Sequence, residues 1–270
     1  MELFKKTDPL VKIFLEKYGM NLLSIPREDI SVGDLYVYNT NNKAMSTKGS
    51  IVFFLTPKPK IPKLTIGASM ADVTATMTKE IDFNIGLNLV SGFLEKFGVG
   101  SLFGNIKAAY EAKGAKTIKF NFPNATKDSV DAMEMGQNLI KTKPIPHHPF
   151  YSKDNRYFLV MAVARASAFA ITVQDKSKNN ADIDLSAMNQ KIVETKAKID
   201  KDNNSAITFN GSKNLGFAVE LQELSYDGEE KTIKLNPANV DTTLKGGTHK
   251  GKAAIIKKQP GLEEPFINIE

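Results

Sequence analysis

From Val73 to Leu89 the odd positions read Val, Ala, Met, Lys, Ile, Phe, Ile, Leu, Leu, and the even ones Thr, Thr, Thr, Glu, Asp, Asn, Gly, Asn. Successive side chains of a strand point to opposite faces, so this pattern predicts a ribbon with one apolar and one polar side. Strands of ordinary sheets run about 3–10 residues, and a tilted membrane-crossing strand needs about 9–11. This alternation outlasts both. Pattern alone favours two soluble strands, or one bent strand, over a core, because soluble sheets far outnumber membrane barrels; the sharper reading is a strand that can also face lipid.

The rest of the chain can be read the same way. A first helix is expected from Pro9 to Tyr18, with Leu10, Ile13, Phe14 and Tyr18 as its apolar stripe and Gly19 as its stop. Strands are predicted over Asn21–Ile25, ended by Pro26, over Asp34–Asn39 with Tyr36 and Tyr38 on one face, and over Ile51–Thr56. Pro57-Lys-Pro-Lys-Ile-Pro-Lys63 is a stiff basic segment that cannot join a sheet interior. After Leu89 the period shifts to about 3.6, with Val90, Phe93, Leu94, Phe97, Leu102, Phe103, Ile106 and Tyr110 predicting one or two helices interrupted at Gly98 and Gly100. Alternation returns at Thr117–Phe122. A helix is then expected over Asp128–Ile140, with Val130, Met133 and Gln137 along one side.

The second half follows the same plan. Tyr157, Leu159, Met161, Val163, Phe169, Ile171 and Val173 share one parity, and alanines fill much of the other. Arg165 is the cation on that bulky face, as Lys79 is on the first ribbon. A helix is predicted over Asp184–Ile199, and strands over Ile207–Phe209 and Leu215–Leu221. Two strand–helix–strand units result, 73–122 and 157–225. From Asn236 to Lys252 the composition is that of an exposed linker, and short apolar clusters follow at Ala253–Ile256 and Pro265–Ile269. These are too small to fold alone.

Composition narrows the function. No apolar run is long enough for a transmembrane helix, and the start carries scattered charges unlike a secretory signal, so a cytoplasmic location is expected. Net charge is +6, a bias that suits anionic membranes or nucleic acid. With no cysteine, disulfides, thiolate metal sites and a cysteine nucleophile are excluded. His147 and His148 sit among prolines without acidic neighbours, which is no metal signature. No phosphate loop, nucleophile elbow, helix-turn-helix or zinc motif occurs. No enzyme activity, catalytic residue, metal or cofactor is expected.

A basic amphipathic first helix, two long-ribbon units and a glycine-rich linker before an apolar tail occur together. With LEKYGMNLLSIPREDISVGDLYVYN (15–39) and NRYFLVMAVARASAFAITVQ (155–174), this order of elements resembles a bacterial gasdermin over essentially the whole chain. The resemblance implies an α+β fold, a twisted antiparallel sheet with peripheral helices, as a monomer at rest. It implies a pore-forming body, 1–244, and an autoinhibitory end, 245–270, docked on that body. A caspase-like or trypsin-like protease would cut the linker near Leu244 or Lys245. The body would bind anionic lipids of the inner membrane, assemble into a large ring and insert both units as β-hairpins, killing the cell in defence against phage. The expected membrane contacts are Lys5, Lys6, Lys12, Lys17, Lys43, Lys48, Lys58, Lys60 and Lys63. Ile255, Ile256, Phe266 and Ile269 are the expected docking residues of the tail. The family's palmitoylatable cysteine near the N-terminus has no counterpart here. A different class, a soluble basic module holding nucleic acid, also fits the charge.

Overall fold

The computed structural model describes residues 14–39, 41, 44–70, 73–78, 91–96, 98, 100, 103–104, 117–145, 154–174, 198–201, 207–227 and 232–235. Its strands are β1 (Asn21–Arg27), β2 (Asp34–Asn39), β3 (Ala44–Ser50), β4 (Leu55–Thr56), β5 (Thr65–Ser69), β6 (Val73–Thr78), β7 (Thr117–Phe122), β8 (Thr126–Ser129), β9 (Lys143–Pro144), β10 (Asn155–Gln174), β11 (Lys198–Lys201), β12 (Ile207–Asp227) and β13 (Thr232–Leu235). A π-helical turn spans Phe14–Tyr18 and a 3₁₀ turn spans Ile51–Phe53. α-Helix is described over 91–96, named α1, at 103–104, and over Ala132–Leu139, named α2.

The fold is built on two strands. β10 and β12 pair antiparallel from Tyr157↔Leu224 to Ile171↔Ile207. The free edge of β10 is shared in succession by β2, β8 and β7, and that of β12 by β13, β1 and β11. β3 extends β2, β5 extends β8 and β6 extends β7. The sheet is therefore three tiers strung on one pair: β3–β2–β10–β12–β13, then β5–β8–β10–β12–β1, then β6–β7–β10–β12–β11. The register shifts at both tier boundaries, between Val160 and Ala162 and between Ala166 and Ala168, and once within the middle tier, between Ala164 and Arg165. At the second boundary, residues 211–214 of β12 lie opposite Ser167 alone. Such a bulge bends the ladder and adds twist.

Elements cover both faces. Leu35, Ile51, Phe54, Leu55, Met135, Leu139, Leu159, Met161, Leu224 and Ile233 pack as one core, beneath α2 and the 3₁₀ turn. Leu23, Ile30, Tyr36, Tyr38, Met45, Phe158, Val160, Val163, Val219 and Leu221 pack as the other. Neighbouring residues of β10 thus enter different cores, and Phe158 to Ala164 are all buried. The expected parity does not persist: Leu159 and Met161 belong to one core and Val163 to the other, because the register shifts between them. This ribbon has two dry faces here.

Several other expectations need correction. Pro26 does not end β1; the strand runs to Arg27 with a register irregularity, and its outward edge tolerates a residue without an N–H. Ile51–Thr56 is a 3₁₀ turn and a two-residue strand, because Ile51, Phe54 and Leu55 are buried at helical spacing while Phe53 projects outward. Asp128 and Ser129, expected as the start of the helix, belong to β8, which pairs with β10 and β5, and α2 starts only after Asp131, whose carboxylate accepts the Glu134 N–H at 2.7 Å. The buried side of α2 is Met135 and Leu139; Met133, expected inside, is 75% exposed. Ile199, expected as the helix end, lies in β11. Ile207–Phe209 and Leu215–Leu221 belong to one strand, and β3, β5 and β13 were not foreseen. Residues 79–89 of the opening ribbon, most of the helix expected over 184–199 and everything past 235 lie outside the described residues.

The corrected face of α2 makes a direct prediction. Leu139→Ala should cost about 2–5 kcal/mol in equilibrium unfolding, and Met133→Ala should stay within about 0.5 kcal/mol. Equal costs would contradict the packing described.

Candidate pore-forming ribbons

Each strand–helix–strand unit contributes a strand pair to the third tier. β6 pairs antiparallel with β7 from Val73↔Phe122 to Thr78↔Thr117. β7 pairs with the end of β10 from Ala170↔Asn121 to Gln174↔Thr117, and β10 pairs with β12. Four strands of the two units are therefore consecutive neighbours, β6–β7–β10–β12. The chain between them, 79–116 and 175–206, leaves from one end of this sheet: β6 and β10 run out into it, and β7 and β12 return from it.

Aromatic residues cover the apolar side of this tier. Phe122 of β7 stacks on Phe217 of β12 with centroids 4.7 Å apart, and Phe169 of β10 stacks on Phe209 at 4.9 Å. α1 closes the group with Phe93, whose ring lies 5.2 Å from Phe169, 5.7 Å from Phe122 and 6.0 Å from Phe217. The π-helical turn adds Phe14, edge-on to Phe217 at 5.4 Å. Gly19 ends that turn with φ of 65°, and the Met20 N–H returns to the Phe14 carbonyl at 3.0 Å, as a left-handed helix stop requires. Six phenylalanines, each essentially inaccessible, hold a helical lid over strands that would otherwise show a hydrophobic face.

Arg165 anchors the middle tier. Its Nε donates to Asp128 Oδ2 of β8 at 2.7 Å, and its Nη2 donates to the Ile30 carbonyl in the β1–β2 loop. Asp128 also accepts the Gly67 N–H of β5 at 2.9 Å. The two side chains are 16% and 17% exposed, so the pair is largely out of water. Opposite Arg165 in the ladder, Gly216 leaves room that a Cβ would fill, at 3.0 Å from Val163 Cγ1 and 3.3 Å from the Arg27 carbonyl. The lone cation of the second ribbon is thus a structural tie in the resting fold. Lys79 lies outside the described residues.

The loop that receives Arg165 is electrostatically shaped. Arg27 grips Asp29 through Nε and Nη2 at 2.8 and 2.6 Å, which holds that carboxyl below the usual range and raises the guanidinium further. Burial pushes Tyr36 up to about 12. Burial also raises Asp34 above 3.8, opposed by the Ser31 N–H that it accepts at 2.7 Å.

Of the lysines expected at a membrane, Lys17, Lys58, Lys60 and Lys63 are exposed and Lys48 on β3 is half-buried. Lys17 stands over the Tyr18 ring at 5.2 Å. Lys5, Lys6, Lys12 and Lys43 lie outside the described residues, as do Leu244, Lys245, Ile255, Ile256, Phe266 and Ile269. Among the described residues no group of three or more His, Cys, Asp or Glu could hold a metal, and no helix is long and apolar enough to cross a membrane. The latter says nothing of strands. Sequence reading missed the aromatic lid; Phe93, Phe122, Phe169, Phe209 and Phe217 sit on four elements, and only their common face reveals them as one cluster.

An antiparallel sheet carrying two neighbouring strand pairs, each with a long intervening segment, and covered by a helix from the first of them, defines a class of β-ribbon protein. The Bacterial Gasdermin Family model matches residues 23–248, and the chain belongs to that family. Its relatives include gasdermin bGSDM of Vitiosangium sp., 25% identical over 84% of this chain and 85% of the relative, and that of Gillisia limnaea, 23% identical over 81% and 82%. A solved bacterial gasdermin from Bradyrhizobium tropiciagri shares the fold with TM-score 0.64 and 21% identity, over 85% of this chain and 91% of that one. The expected α+β, gasdermin-like fold is the one found. The family is one of pore-forming cell-death proteins, so the chain is a pore-forming protein and not an enzyme.

The Asp34 environment sets a pH dependence. A carboxyl whose folded pKa is raised favours the folded state most below its unfolded pKa, and that contribution is lost as pH rises through the folded value. Relative to Asp34→Asn, the wild type should therefore be more stable at about pH 3.5 than at about pH 6. Urea midpoints at the two pH values check this, and a constant difference would contradict it.

Proposed function

We propose that this chain is an autoinhibited gasdermin, resting in the cytoplasm as a monomer and acting at the inner membrane. Residues 1–244 form the pore-forming body and 245–270 the end that restrains it. Cleavage by a caspase-like or trypsin-like protease near Leu244 or Lys245 releases Ile255, Ile256, Phe266 and Ile269 from the body. The freed body binds anionic lipids through its lysines, including Lys5, Lys6, Lys12, Lys17, Lys43, Lys48, Lys58, Lys60 and Lys63. It then assembles into a ring and extends units 73–122 and 157–225 into hairpins. Cell death on infection limits the phage.

The observation that carries this reading is the order β6–β7–β10–β12. The legs of both hairpins are already antiparallel neighbours, so extension adds rungs to an existing ladder. Segments 79–116 and 175–206 supply the length, and Phe93 must leave its aromatic partners before strand can replace helix. Closing a ring of such sheets pairs every backbone group, which is the condition for β structure in lipid. Arg165 would lose Asp128 on insertion and favours a level near the headgroups, since a cation at a barrel's midplane costs about 2–4 kcal/mol.

Dye release from anionic vesicles tests the proposal. The chain ending at residue 244 should release dye and the full chain should not. Met77→Lys, with Lys79 retained, should abolish release while leaving the resting fold intact, because each subunit would carry a cation into the hydrocarbon. Equal leakage from both lengths would remove the autoinhibition, and wild-type leakage from Met77→Lys would remove this ribbon from the pore.

A further inference from the structure

The two outer edges of the third tier differ. The ladder β6–β7–β10–β12 is antiparallel at each step, so β6 and β12 run in opposite directions. On the far side of β12, β11 pairs with 207–210, from Lys198↔Asn210 to Lys201↔Ile207. That pairing is antiparallel too, so β11 runs the same way as β6. Among the described residues β6 pairs with β7 alone, and its outer edge takes no strand.

Composition sharpens the contrast. β11 is four residues long and reads Lys-Ile-Asp-Lys, whereas β6 reads Val-Thr-Ala-Thr-Met-Thr, without charge, proline or glycine. Short, charged strands close a sheet edge to other chains, and an uncharged strand leaves it open to pairing. The register agrees. One row crosses the sheet as Ala75↔Phe120↔Ile171↔Ile207↔Lys201, and the adjacent row as Thr74↔Asn121↔Ala170↔Thr208↔Asp200. Phe120, Ile171 and Ile207 are buried, so the first row is apolar until β11 ends it with a lysine. A strand with the alternation of β6 would continue that row.

We infer that β11 is an intramolecular cap on β12, holding the edge that pairs with β6 of a second copy of this chain. A second copy set beside the first offers its β6 to β12 in antiparallel sense, the polarity that β11 already has. Resting on the ring assembly proposed above, this cap is a restraint distinct from the tail, because cutting the linker leaves β11 in place. Subunits join by strand exchange: β6 of one copy displaces β11 of the next, and 198–201 is freed to continue β12 into its hairpin. Until a neighbour's cap is displaced, the open edge of β6 finds no acceptor edge.

Because the chain has no cysteine, engineered disulfides report both states. The test uses the full chain with a site-specific protease sequence inserted after Leu244. Asp200→Cys with Thr208→Cys joins directly opposed residues and locks the cap. Once cut, the oxidised chain should sediment with phosphatidylglycerol vesicles yet release no dye, and reductant should restore release to the level of the single variants. Thr74→Cys with Thr208→Cys reports contact between copies. Within one chain these positions are three strand spacings apart, about 14 Å, beyond the roughly 7 Å reach of a disulfide. The cut chain should stay monomeric under oxidant in solution and crosslink into multimers on vesicles.

Adding Ile199→Pro and Asp200→Pro removes at least one rung, since adjacent residues turn their N–H groups to opposite edges. This uncapped, cut chain should form the same crosslinks in solution, without vesicles. No hairpin inserts in that arm, so it separates capping from hairpin extension. Glycines at both positions replace the prolines if these alter the circular dichroism of the uncut chain. The cap is overturned if the locked chain leaks as its reduced form does, or if the uncapped chain forms no crosslink between 74 and 208 in solution. Crosslinking by the uncapped chain without leakage from the cut wild type keeps the cap and removes the pore. Leakage from the cut wild type that neither the lock nor the uncapping alters keeps the pore and removes the cap.

Discussion

A strand buried on both faces cannot leave its backbone edges to solvent, and β10 is such a strand for most of its length. Every N–H and C=O along it needs a partner strand. β12 supplies one edge over nearly its full extent, and no single strand supplies the other. Three short strands take that edge in turn, and three more do the same for β12. The tiered sheet is the consequence. Register breaks at the tier boundaries let each group of short strands set its own alignment, and Arg165 closes the middle tier by joining β10 to β8 and to the β1–β2 loop.

The tiers differ in what holds them. The first two are fixed by α2, the 3₁₀ turn and the loop around Ile30, all packed into the two main cores. The third relies on the aromatic group closed by Phe93 and Phe14. Its lid is therefore a short helix within the first strand–helix–strand unit, not a separate domain. Aromatic pairs contribute about 0.5–1.5 kcal/mol each beyond area burial, so several pairs make a specific but limited restraint. In the proposed pore the same residues would leave the sheet as helix and pair as strand, so this end of the sheet would have two alternative packings.

Much of this was legible in the chain. Asp34–Asn39 and Thr117–Phe122 form strands with the expected bounds: β7 alternates apolar and polar residues, and β2, buried at all four central positions, is a short apolar run ended by turn residues. Gly19 was readable as a helix stop from its type and place. The errors share a cause. Where both faces are buried, alternation carries no information about which core a residue enters, so Val163 was grouped with Leu159. Where a short turn buries residues at i, i+3 and i+4, as at Ile51, Phe54 and Leu55, an apolar run imitates a strand. Asp131 and Glu134 at capping-box spacing marked the true start of α2.

The central claim is that hairpin strands grown from the third tier cross the bilayer. Polarised infrared spectroscopy of cleaved protein in oriented anionic bilayers measures it most directly. Strand content should rise at the expense of helix, with strands tilted about 35–45° from the bilayer normal, as in a closed barrel. Membrane-bound, leaking protein with unchanged helix content, or with strands lying flat in the bilayer plane, would contradict the account.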